Sequence, residues 1–202
     1  MLTSLISLLL ALPAALPPGA RPTPDSTGTP VPNSLKLGVT TAANGQLSTL
    51  ALERQLRPRL TLQARLGYGA RTFSESYSLP GPGPNTVPYT RRVRQAEATA
   101  HLRYYIGRHP KPLSGWYAGL GLGLARLREE GTRPQSAAET RTRLLLCPQV
   151  QVGGQYVFGR HFLLDVFLGL GAAQQRSFSF APTPRRFWDF YAANGLQVGY
   201  AF

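Results

Sequence analysis

From residue 35 to the C-terminus, apolar side chains alternate with polar or small ones at a period of two, a spacing that no helix has. Eight segments carry it. Residues 35–41 set Leu35, Leu37 and Val39 on one face and run toward Asn44-Gly45, a two-residue hairpin signal. Residues 46–56 follow, with Leu50, Leu52 and Leu56 as the apolar face. The third segment is the plainest: Leu60, Leu62, Ala64, Leu66 and Tyr68 alternate with Thr61, Gln63, Arg65, Gly67 and Gly69. In the fourth, residues 92–106, Ala96, Ala98, Ala100, Leu102, Tyr104 and Ile106 oppose Glu97, Thr99, His101 and Arg103. The fifth sets Trp116, Ala118, Leu120, Leu122 and Leu124 against Tyr117, Gly119, Gly121 and Gly123. The sixth sets Leu144, Leu146, Val150, Val152, Tyr156 and Phe158 against Gln149, Gln151, Gly153 and Gln155. Phe162, Leu164, Val166, Leu168 and Leu170 oppose Asp165, Phe167, Gly169 and Gly171 in the seventh. The eighth, residues 187–202, ends with Leu196, Val198, Tyr200 and Phe202 opposite Gly195, Gln197 and Gly199.

The links between segments alternate in length. Arg57-Pro58-Arg59, residues 107–115 and Gly159-Arg160-His161 are short, whereas residues 74–90, 129–140 and 176–184 are longer and Pro-rich or charged. Only the first hairpin breaks the rule. Short periplasmic turns and long extracellular loops are the asymmetry of an outer-membrane barrel. The pattern predicts an all-β fold over residues 34–202, an eight-stranded antiparallel up-and-down transmembrane β-barrel with both chain ends in the periplasm. Alternation also suits a soluble lipocalin-like barrel, whose apolar face points inward around a ligand. The aromatics favour the membrane. Tyr104, Trp116, Tyr156, Phe158, Phe162, Tyr200 and Phe202 gather at the predicted periplasmic edge and Tyr68, Trp188 and Phe190 at the other, as an interfacial girdle does.

Residues 1–20 hold a short apolar run followed by small residues and prolines, which predicts a signal peptide cleaved between residues 14 and 20, although its start lacks the usual positive charge. Residues 21–33, rich in Pro, Thr and Ser, read as a flexible lead-in. A single cysteine, Cys147, excludes an internal disulfide framework and reads as a small strand residue. The net charge of +13 is almost all arginine. In a soluble chain that charge would suggest nucleic acid, but an exported one does not meet its cell's genome, so no nucleic-acid partner is expected.

Strand pattern, loop asymmetry and the terminal Val198-Gly199-Tyr200-Ala201-Phe202 make the chain resemble the small eight-stranded outer-membrane barrels of the OmpA/OmpX type, from about residue 34 onward. No motif selects a subfamily, and no peptidoglycan-binding domain is expected after the eighth strand. The resemblance implies localisation in the outer membrane of a Gram-negative bacterium. It also implies that Tyr200 and Phe202 serve as the signal read by the barrel-assembly machinery.

Candidate chemistry is sparse. Gln63, Arg65, Glu97, His101, Arg103, Gln149, Gln151 and Asp165 share the polar face and are expected to form an interior polar network, where charges must pair. The inward glycines leave room for large neighbours such as Phe167. An acid-base constellation could be drawn around His101 and Glu97, whereas His109 and His161 fall in predicted turns. No His-x-Ser pair of the lipid-deacylase kind occurs, Asp25, Asp165 and Asp189 stand apart, and no metal-ligand cluster or nucleotide fingerprint is present. No catalytic residue, metal or cofactor is therefore expected. Arg92, Arg94, Arg126 and Arg128 continue the lipid-facing parity beyond the apolar band, with Arg176, Arg185 and Arg186 nearby. Their planar forks suit the phosphates of lipopolysaccharide. These residues point to a non-enzymatic outer-membrane protein with a structural, adhesive or lipopolysaccharide-contacting role and outer-membrane lipids as partners. A narrow anion-preferring pore, a lipid-modifying enzyme and a soluble ligand-binding barrel stand as alternatives, and the loop ligand is unspecified.

Overall fold

The computed structural model describes residues 32–42, 45–78, 86–111, 113–132, 139–159, 161–176 and 186–202. Side chains are described for these apart from residues 75–78, 86–89, 107–111, 132, 139, 175–176 and 186–187. The expected signal peptide and nearly all of the lead-in, with Asp25 and Arg185, lie outside the described residues.

Eight strands follow in chain order: β1 (Asn33–Ala42), β2 (Gly45–Arg57), β3 (Leu60–Ser78), β4 (Thr86–Lys111), β5 (Ser114–Thr132), β6 (Glu139–Phe158), β7 (Phe162–Arg176) and β8 (Arg186–Ala201). Each pairs antiparallel with the next, and β8 pairs with β1, so the sheet closes into a barrel. In the closing seam Leu35 lies opposite Tyr200, Leu37 opposite Val198 and Val39 opposite Leu196. The backbone of Asn33 also exchanges two hydrogen bonds with Phe202, at 2.8 and 2.9 Å. Closure matters because an open strand edge in hydrocarbon leaves backbone polar groups with no partner.

Period-two alternation decides which side chains face where. Leu37, Leu50, Leu102, Leu120, Val152, Leu168 and Val198 lie exposed on the outer wall, whereas Lys36, Glu53, Gln63, His101, Arg103, Asp165 and Gln197 are closed inside it. This is the inverse of a soluble barrel and overturns the lipocalin-like alternative, which needs the apolar face inward. The aromatic girdles stand on the same outer wall: Trp116 meets Tyr156 edge to face at 6.5 Å, and Phe162 meets Tyr200 at 6.3 Å.

Two corrections concern strand ends. Segments read as extracellular loops are partly strand, with β3 and β4 paired out to Ser78 and Thr86, and β5 and β6 out to Gly131 and Glu139. Beyond the apolar band the outward positions turn polar, as at Ser74, Thr90, Glu130 and Thr140, so the outward apolar residues that mark a strand stop although the ladder continues. At the other end, residues 107–115, read as a short link, are shorter still: β4 runs to Lys111 and β5 starts at Ser114, with a register shift between Ile106 and Lys111. Leu113 takes a positive φ of 52° there and tucks its side chain inside. The strain of that conformation is offset by burial and by the hydrogen bond its carbonyl accepts from Gln155 Nε2 at 2.8 Å. Ala42 pairs directly with Gly45, so the first reversal falls between them, one residue earlier than Asn44-Gly45 would have it.

The interior has two tiers. The periplasmic half and the middle are polar, as the inward parity requires. The extracellular half is apolar instead, formed by Val93, Ala125, Leu127, Leu145, Cys147 and Ala173 with Phe73 and Tyr191 against them. An interior filled with polar groups throughout was expected, and this tier departs from it.

Candidate functional site

In the lower tier, two cations and two carboxylates from four strands converge. Lys36 on β1 bonds Glu53 on β2 and lies 2.8 Å from Asp165 on β7. Arg103 on β4 bonds the same Asp165 oxygen at 2.7 Å and lies 3.6 Å from Glu53. Opposite charges therefore balance within the cluster. Its remaining hydrogen-bonding capacity is taken up too: Tyr117 Oη donates to Asp165 at 2.7 Å, Tyr105 Oη to Glu53 at 3.1 Å, and Thr61 and Gln155 complete the set. The Gln151 amide, oriented by donor and acceptor matching, accepts from Arg103 Nε at 2.9 Å. The Arg103 guanidinium lies over the Tyr117 ring, 4.3 Å from its centroid. Buried charges persist only when paired and hydrogen-bonded in this way.

A second layer lies toward the extracellular side. Arg65 Nη2 donates to Gln149 at 3.1 Å and lies 3.9 Å from Glu97, and its guanidinium sits over Phe167. Glu97 accepts from Gln95, Thr99 and Gln149, and Gln149 also donates to Tyr191 Oη at 3.0 Å. Gln63 donates to Gln197 at 3.3 Å.

His101 is fully buried, and neither of its ring nitrogens has a hydrogen-bond partner. Its imidazole fills the space that a side chain at Gly121 would need, as Tyr117 does at Gly153, Tyr191 at Gly171 and Phe167 at Gly195. The His101–Glu97 acid-base pair is thus not assembled. His161 instead stacks on Tyr200 at 4.8 Å, with Nδ1 2.9 Å from the Ala201 carbonyl. The side chain of His109 lies outside the described residues. Among the described residues no three His, Cys, Asp or Glu side chains gather to hold a metal. Lys36, Glu53, Tyr105, Tyr117 and Gln155 are members of the lower cluster that the sequence reading did not single out. Their signal was parity alone, Lys36 lying between Leu35 and Leu37 and Glu53 following Leu52.

On the outer wall, above the apolar band, Arg94 lies directly opposite Arg128, Arg92 opposite Glu130, and Arg126 opposite Ala96. Glu130 is the shared acid, 3.0 Å from Arg128 and 3.6 Å from Arg94. Among the described residues Arg92 and Arg126 form no ion pair. Arg176 and Arg186 pair in register across β7 and β8, and their side chains lie outside the described residues. At the inner rim, Phe73 is stacked between Arg71 and Arg91, at 4.8 and 5.1 Å. Tyr200 and Phe202 stand exposed on the outer wall at the closing seam.

No protein-family model matches the chain, and no curated protein matches it in sequence. Solved structures do share its fold. A major outer-membrane protein from Thermus thermophilus superposes with a TM-score of 0.59 at 15% identity, over 86% of this chain and 100% of that one. The attachment invasion locus protein Ail of Yersinia pestis, solved in complex with the heparin analogue sucrose octasulfate, superposes with a TM-score of 0.54 at 12% identity and the same coverage. With its apolar outer wall, aromatic girdles, paired interior charges and this shared architecture, the chain is a small eight-stranded β-barrel of the outer-membrane type.

Proposed function

We propose that this is a non-enzymatic outer-membrane protein whose outward arginine ridge binds oxyanions at the cell surface, foremost the phosphates of lipopolysaccharide. The observation that carries the reading is the placement of Arg94 directly opposite Arg128. Like charges across a ladder are destabilising. Here the single carboxylate of Glu130 serves both arginines, with Arg92 and Arg126 alongside, so the ridge keeps a surplus of cations facing the headgroup level. A phosphate or sulfate bridging neighbouring guanidinium forks relieves that repulsion. The Ail structure carries a sulfated sugar, a ligand of the same oxyanion class. A structural or adhesive role rests on this same surface.

The test replaces Arg92, Arg94, Arg126 and Arg128 together with Gln. The expected outcome is weaker binding of lipopolysaccharide vesicles and loss of the extra thermal stability that lipopolysaccharide confers over phosphatidylcholine, with binding of the parent falling as salt rises. Unchanged binding and unchanged stability overturn the reading. Competition by a sulfated polysaccharide separates a phosphate-selective ridge from a general oxyanion site.

A further inference from the structure

In the periplasmic half of the outer wall, outward side chains line up in two ladder rows across β3 to β7. One row passes from Leu60 through Tyr104, Ala118 and Val152 to Leu168. The next passes from Leu62 through Leu102, Leu120 and Val150 to Leu170. Ala118 presents only a methyl group between Tyr104 and Val152, with Trp116 and Leu120 beside it along β5. The wall is hollowed there into an apolar groove of about 660 Å³ that reaches from Leu60 on β3 to Leu170 on β7. Five strands at a spacing of about 4.8 Å make it roughly 19 Å long. Its flanks, Leu120, Val152 and Leu168, are exposed.

Strands of a barrel tilt against its axis, so these rows slope through the membrane. Leu60 opens β3 at a periplasmic turn, whereas Leu168 stands six residues along β7 from its start at Phe162. The groove therefore rises from the periplasmic interface into the hydrocarbon. At its low end each row continues onto an arginine of β2, with Arg57 opposite Leu60 and Arg54 opposite Leu62. Arg59, in the turn between β2 and β3, lies with Nη1 3.5 Å from the Tyr104 hydroxyl. All three arginines are exposed. Among the described residues none of the three forms an ion pair. Glu53, the carboxylate next to Arg54 in the chain, is closed inside the barrel, and Glu129, Glu130 and Asp189 belong to the extracellular end. An apolar groove that starts at uncompensated cations and climbs into the bilayer matches one chemistry, an acyl chain beneath a phosphate.

We propose that this groove is a binding site for an anionic phospholipid of the periplasmic leaflet. One acyl chain lies over Ala118 along the rows, and the phosphate meets Arg54, Arg57 and Arg59. The site shares no residue with the extracellular arginine ridge and stands at the opposite face of the membrane.

Tryptophan quenching tests it, because Trp116 borders the groove and Trp188 is the chain's other tryptophan. Full-length barrel carrying Trp188→Phe is reconstituted in phosphatidylcholine vesicles with increasing fractions of phosphatidylglycerol, one of the two lipids bearing brominated acyl chains. Quenching of Trp116 is expected to show a preference of about fivefold for phosphatidylglycerol, falling as salt rises. Arg54, Arg57 and Arg59 changed together to Gln should bring the two lipids to parity. Ala118→Leu, which fills the floor of the groove and keeps the arginines, should also reduce the preference, with heat-modifiable migration showing both variants folded. Equal quenching of the parent by the two lipids overturns the site, as does a preference untouched by the arginine substitutions. The preference is expected to persist when Arg92, Arg94, Arg126 and Arg128 are Gln; its loss there assigns it to the ridge and overturns the groove. Trp116 shielded from both lipids, with cross-links between copies, overturns it in favour of a second barrel on this face.

Discussion

Lys36 on β1 and Asp165 on β7 meet inside the barrel with Nζ 2.8 Å from Oδ2, both closed to solvent. The two strands are not neighbours in the sheet but are separated by β8, so the ion pair bridges over that strand on the inner face of the wall. Arg103 and Glu53 complete the same cluster.

Lys36→Met is expected to destabilise the barrel strongly, because it leaves Glu53 and Asp165 sharing Arg103 alone. Breaking a buried pair costs about 3–5 kcal/mol. Adding Glu53→Gln to that variant restores the charge balance and is expected to recover part of the loss. Urea unfolding in lipid vesicles, followed by Trp fluorescence, reads both; a double variant no more stable than the single one contradicts the pairing argument.

Gly121→Val is expected to cost about 1–3 kcal/mol by overpacking, since its side chain would occupy the space of the His101 ring. His101→Ala in the same chain should relieve part of the cost. If the pair of substitutions is simply additive, the two positions do not share that space.

In planar bilayers the protein is expected to show no lasting open-pore current. Lys36, Arg103, Tyr105, Tyr117 and Phe167 are all fully buried in the interior, and the apolar tier lies above them. A steady ohmic conductance from the purified barrel would restore the pore alternative.

Deleting Phe202 removes an exposed terminal aromatic and two seam hydrogen bonds with Asn33. Phe202→Ala removes only the aromatic ring. If the assembly machinery reads the ring, both variants lose outer-membrane protein to a similar degree, measured by fractionation and heat-modifiable gel migration. If closure of the seam dominates, the deletion alone is impaired.

The strand count, the antiparallel order and the inward or outward sense of the side chains along the eight segments were legible because a strand turns every second residue to the same face. Leu35, Lys36 and Leu37 carry that information by themselves. The strand extensions to Ser78 and Glu139 were not legible, since their outward positions no longer carry the apolar residues that mark a lipid-facing strand.

For the interior, parity placed Arg103 and Asp165 on the inside but said nothing about what they touch. That Lys36 reaches Asp165 past β8 depends on barrel closure, which brings the first strand beside the last, and on the stagger of the strands. The end of the β6–β7 ladder at Gln149 and Gly171 is of the same kind: Pro148 is its one mark in the chain, and a proline alone does not say which of the two ladders beside it stops there. The sequence by itself determined a closed, inverted barrel, because local alternation and the exclusion of unpaired backbone from lipid admit little else. Only the tertiary structure decided which buried charges meet and where each ladder ends, because those contacts join residues far apart in the chain through a geometry that no local pattern encodes.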